Sequence, residues 1–125
     1  MLKQAHDFKD ESDYLFNILE GLSETEFGTQ TLFKNWSFNT ILRHLHVWNH
    51  AASLALGNKK EWKIFVKTLQ YNFKKGLSLN DFEKVFTKNL RGKELLYNWK
   101  DFYEKTAENF RFEDPKKRVQ WVGPD

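Results

Sequence analysis

An apolar residue returning every third or fourth position, segment after segment, is the constraint that decides what this chain can become. It is clearest after Ser37, where Phe38, Ile41, Leu42, Leu45, Trp48, Ala52 and Leu56 recur at that spacing. Such residues fall on one side of an α-helix. Ser37 is placed to cap its first turn, the hydroxyl accepting from a free amide, and Gly57 stops it. The same period predicts a first helix over Ala5–Glu20, with Phe8, Leu15, Ile18, Leu19 and Leu22 as the stripe and Gly21 at its end. Ser23 and Glu26 form a capping box that opens a short turn, and residues 28–36 form a loop. A third helix is predicted over Lys59–Lys74 (Trp62, Phe65, Val66, Leu69, Phe73), closed by Gly76. A shorter segment follows over Asp81–Leu90, capped by Asn80 and ended by Gly92, with Phe82, Val85 and Phe86 turned inward. A long helix over Glu94–Phe110 carries Leu95, Leu96, Trp99, Phe102, Tyr103, Thr106 and Phe110, and Pro115 forbids its continuation. Residues 118–125 read as an extended piece that then turns. No strand pattern competes and no repeat appears, so the expected class is all-α, a helical bundle.

With 125 residues the chain has the length of one domain, enough to bury roughly two-thirds of the surface of its unfolded form. Its core must be built from wide side chains, since 17% of the residues are aromatic. A mean hydropathy of −0.72 matches helices with one oily and one charged face. No apolar run is long enough to span a bilayer, and the opening residues lack the apolar core of a signal peptide. A cytoplasmic placement without a membrane partner is expected. With no cysteine, disulfides, thiolate-held zinc and a protein-borne thiol nucleophile are excluded. The net charge is +3, and Asn58–Lys75 holds six lysines against the single acid Glu61. Basic and aromatic residues interleave there, a composition shared by nucleic-acid surfaces. Here the aromatics keep helical spacing, which makes them a core face and the lysines a solvated one. No nucleic-acid partner is expected.

Chemistry, if the chain performs any, concentrates on the helix after Ser37, which carries three of the four histidines. His46 and His50 stand four residues apart, so both rings leave one face and are able to share a metal ion. Arg43 and Asn49 beside them suggest a solvent-facing strip. His44 lies off that face with Trp48 against its ring, and by itself reads as a hydrogen-bonded histidine at the edge of the core. No phosphate-binding glycine loop or nucleophile elbow is present. Glu113-Asp114 reads as a solvated turn, and Glu83, Glu94, Asp101, Glu104 and Glu108 read as surface charge beside lysines.

Three blocks together carry a family resemblance. Trp36-Ser37 followed by His44-Leu45 and Trp48-Asn49 resembles the second-helix motif of the DinB-like superfamily. More narrowly, it resembles the N-terminal domain of mycothiol-dependent maleylpyruvate isomerase. Leu95-Leu96-x-x-Trp99 is similar to the start of that family's third long helix. Arg118-Val119-Gln120-Trp121-Val122-Gly123-Pro124 is similar to a segment that one subgroup places before its last helix. The blocks occur in the family's order across nearly the whole chain.

The resemblance implies a four-helix up-and-down bundle holding a divalent metal such as zinc, with one histidine from the second helix and a Glu-x-x-x-His pair from the fourth. The matching histidine is His44, leaving His46 and His50 as the alternative ligands, and Trp36, Trp48 and Trp121 as pocket residues. It further implies that the metal lowers the pKa of a small-molecule thiol, mycothiol or bacillithiol, whose thiolate attacks an electrophilic substrate in a transfer or isomerisation. The sequence stops where the fourth helix is due, and Asp125 stands where the subgroup continues with proline. Residues 1–125 are therefore expected to form a single, incomplete bundle of three long helices and a shorter one, the N-terminal part of a longer protein. Zinc sites that do chemistry use three protein ligands, so this chain is expected to hold no metal and to be inactive alone. A groove in place of the fourth helix predicts a two-fold homodimer covering it. The rival expectation is a non-catalytic helical interaction module that associates through the same groove.

Overall fold

Side-chain caps start most of the helices in this chain. The computed structural model describes residues 3–110 and contains α1 (Lys3–Glu20), α2 (Glu24–Phe27), α3 (Phe38–Gly57), α4 (Lys59–Lys74), α5 (Leu79–Phe86) and α6 (Gly92–Phe110). No strand occurs among the described residues; Gln30 and Ser37 form an isolated antiparallel bridge. The all-α expectation holds. The segment 118–125, with Trp121, lies outside the described residues.

Ser37 accepts from the Thr40 amide, and Ser23 forms the expected capping box with Glu26. The cap of α5 is Ser78, not Asn80: its hydroxyl accepts from the Asp81 amide while Asp81 accepts from the Ser78 amide. Asp81 closes the reciprocal pair with Ser78, whereas Glu83, the acid three residues after Asn80, is turned inward to His44 and Trp48 and leaves the asparagine without one. Lys88 and Asn89 take left-handed backbone angles, so the chain turns at once and α5 ends at Phe86, short of Leu90. The last helix starts two residues earlier than expected. Its first amides are capped by distant side chains, Gly92 donating to Asn39 (2.7 Å) and Lys93 to Glu24 (2.9 Å). Gly92 has φ +60°, and a Cβ there would lie 1.8 Å from the Glu24 carboxylate, so any other residue is strained in its backbone and must push the Glu24 side chain aside.

The helices pack around two apolar clusters. In the first, Phe16 and Leu19 of α1, Phe27 of α2 and Leu42 of α3 meet Leu95, Leu96, Trp99 and Tyr103 of α6. In the second, Val47, Ala51 and Ala55 of α3 meet Trp62, Phe65 and Leu69 of α4 and Phe82 of α5. Thus α3 is apolar on two sides, with α6 against one and α4 and α5 against the other. This corrects the single stripe expected for it: Val47, Ala51 and Ala55 are buried, while Ile41, Ala52 and Leu56 are only half-buried. Two further expectations fail for a shared reason. Ile18 is exposed because the buried arc of α1 runs through Ala5, Ser12, Phe16 and Leu19; Val85 is exposed because α5 turns Phe82 and Glu83 inward. The six lysines of 59–75 are exposed as expected. Trp62 and Phe65 are core, whereas Tyr71 and Phe73 stay exposed.

Helix α6 lies between α1 and α3, and a groove of about 190 Å³ remains between those two. Phe8, Leu15, Leu45 and Trp99 give it apolar walls, and Glu11, Ser12 and Asn49 add polar groups to the lining. No described helix is long and apolar enough to cross a membrane.

Candidate functional site

His44 stands in the first half of α3 because Ser37 sets the helix start seven residues earlier. The loop ahead of it is folded back on itself. The Thr31 amide and hydroxyl both donate to the Trp36 carbonyl at 2.8 Å, and Lys34 and Asn35 take left-handed angles. That turn brings Trp36 edge-on to His44, with ring centres 5.6 Å apart. One helical turn beyond His44, Trp48 closes the other side at 6.1 Å. The sequence set Trp48 against the His44 ring; Trp36 lies beside the ring as well. Arg43 donates to the Leu90 carbonyl at 2.9 Å, tying this part of α3 to the α5–α6 connection.

The partner of this imidazole is a residue read from the sequence as surface charge. Glu83 of α5 is 1% exposed. Its Oε2 lies 2.6 Å from His44 Nδ1 and accepts the Trp48 indole N–H at 2.8 Å. Its other oxygen, Oε1, has no hydrogen-bond partner among the described residues. The correction has a simple origin. Leu79, Phe82, Glu83 and Phe86 occupy positions i, i+3, i+4 and i+7, so Glu83 sits on the apolar stripe of its helix. An acid at that place is buried only with donors to meet it. Its position on the stripe was the available signal.

His46 and His50 do not form a solvent-facing strip. His46 is buried; its ring centre lies 4.8 Å from that of His50 and 5.8 Å from that of Phe102. His50 stacks on Phe102 at 3.7 Å and meets Phe86 edge-on. Burial pushes His46 down to about 4, with a further push from His50. Burial also lowers His50. Nδ1 of His46 has no hydrogen-bond partner among the described residues. The pair is thus two neutral rings in the α3–α6 interface, turned inward because α6 sets its aromatic face against them.

Among the described residues no group of three or more histidine, aspartate or glutamate side chains is placed to hold a metal ion. His44 keeps a side chain that is 35% exposed, and Glu83 occupies one of its nitrogens. One remaining donor does not fit a three-ligand zinc site. What these residues provide is an anchored imidazole between two indoles, reachable from solvent at its outer edge.

No curated protein and no solved structure matches the chain. A family model described as the mycothiol maleylpyruvate isomerase N-terminal domain matches residues 8–125, a span that includes His44, Glu83 and both indoles. On that match across almost the full length, the chain belongs to the mycothiol maleylpyruvate isomerase N-terminal domain family of the DinB-like superfamily.

Proposed function

We propose that this chain carries the reactive imidazole of a thiol-dependent isomerase or transferase, and that residues 3–110 are not sufficient for turnover on their own. The observation that carries the reading is His44, held 2.6 Å from the buried Glu83 carboxylate and flanked by Trp36 and Trp48. Buried carboxylates orient histidines in this way when the outer nitrogen is used as a base or as a ligand. The family's name supplies the substrate class, a small-molecule thiol of the mycothiol type with an unsaturated electrophile. The absence of cysteine is in keeping with a thiol brought from outside. On this reading, with no complete donor set among the described residues, residues 3–110 alone hold no stoichiometric zinc and leave thiol addition at its uncatalysed rate.

Elemental analysis of untagged protein and an isomerisation assay with mycothiol test the second half of this reading; bound zinc at one per chain, or turnover above background, would overturn it. The first half is tested by adding mycothiol and zinc together while following the histidine ring signals by NMR. The expected shifts are at His44 and vanish in His44→Ala. Shifts confined to His46 or His50 would move the site away from His44.

The groove between α1 and α3 favours a second reading, a non-catalytic helical module that pairs with another copy of itself across Phe8, Leu15, Leu45 and Trp99. Sedimentation then shows a dimer that Leu45→Glu dissociates. A stable monomer at micromolar concentration removes this alternative.

A further inference from the structure

We infer that Glu83 is a positioning residue that holds His44 with its ring proton on Nδ1, so that Nε2 is presented outward as a bare electron pair. Two nitrogens converge on Glu83 Oε2. One of them, the Trp48 indole, is able only to donate, and its 2.8 Å bond makes Oε2 an acceptor. The second, His44 Nδ1, approaches the same oxygen to 2.6 Å, closer than two lone pairs tolerate, so a proton lies between them, and with Oε2 already accepting from the indole the ring is the donor. An acceptor shared by two N–H groups accounts for both contacts at once. The tautomer of a histidine follows from the bond its other nitrogen makes, and here that bond leaves the proton on Nδ1.

The carboxylate is in no position to follow the ring if it turns. Glu83 belongs to a helix fixed by the Ser78–Asp81 capping box, and Thr87 closes the next turn onto the Glu83 carbonyl at 2.8 Å. The imidazole is wedged between Trp36 and Trp48, and its side chain remains 35% exposed. Nε2 lies on the opposite edge of the ring from Nδ1 and is the nitrogen left for a proton or an electron-pair acceptor. The tautomer stands on this geometry alone, while the use made of Nε2 rests on the thiol-dependent reading above.

Nitrogen-15 NMR of the 125-residue chain, at a pH where His44 is neutral, decides the matter. A protonated Nδ1 and a bare Nε2 are expected. A proton on Nε2, the tautomer free histidine prefers, would overturn the assignment. In Glu83→Leu, which places an apolar side chain on an apolar helix face, the His44 tautomer reverts toward Nε2–H. Diethyl pyrocarbonate, which modifies bare imidazole nitrogens, then labels His44 several-fold more slowly, read by mass spectrometry. A purely packing role for Glu83 leaves both readouts unchanged in a folded variant. If Glu83→Leu fails to fold, the wild-type tautomer decides alone. Neither readout involves zinc or turnover, so this assignment and the thiol-dependent reading can fail separately.

Discussion

Mild acid should destabilise this protein through His46, and the size of the effect follows from where the ring sits. His46 is buried against Phe102 and His50, without a partner for Nδ1 among the described residues, and burial lowers its pKa from the usual 6.5 to about 4. The unfolded chain therefore takes up this proton more readily than the folded one. The contribution is present above 6.5 and is lost as the pH falls through the window from 6.5 toward 4. Linkage over the interval from about pH 7.5 to about pH 5 gives on the order of 1–2 kcal/mol. Asp13, Glu26 and Asp81 are held below the usual carboxylate range, so their losses come at lower pH and leave this window to the imidazoles. Urea unfolding of wild type and His46→Leu at both pH values measures the difference. The variant should lose about 1–2 kcal/mol less between them, with His50 supplying part of what remains. At the higher pH it should be as stable as wild type or more so, because the substitution removes an unpartnered buried nitrogen. Equal pH dependence in the two proteins would refute the reasoning and place the acid sensitivity elsewhere.

Gly92→Ala should cost about 2 kcal/mol, combining a left-handed alanine with expulsion of Glu24 from the first turn of α6. In a Glu24→Ala background only the backbone part should remain, and an unchanged cost in that double-mutant cycle would show that the two residues do not compete for space. Tyr103→Phe removes the hydroxyl that donates to Asp13 at 2.6 Å and ties α6 to α1; a loss of about 1–3 kcal/mol in chemical denaturation is expected. No loss would mean that water replaces the phenol without penalty.

The candidate site shows where reading along the chain stops being sufficient. His44 and its two indoles were legible because all three lie within thirteen positions of one another and depend on a helix whose start Ser37 announces locally. Glu83 lies 39 positions from His44 and was read as surface charge, although its place on the stripe of α5 marked it. Its two donors come from a different helix, and a search along one segment meets neither of them. His46 and His50 failed in the opposite direction. Their spacing was read as a shared face, which it is, but the polar residues beside them suggested water where α6 places Phe102 and α5 places Phe86.

The sequence by itself determined the helical class, most helix boundaries and the family, because caps, glycine stops and a 3.6-residue period act within a few neighbouring residues. Only the tertiary structure decided that α3 is covered on two sides, that Glu83 meets His44, and that Gly92 packs against the Glu24 carboxylate. The physical reason is common to all three: periodicity marks the sides of a helix that are able to be buried, and which of them is buried depends on the helices packed against it.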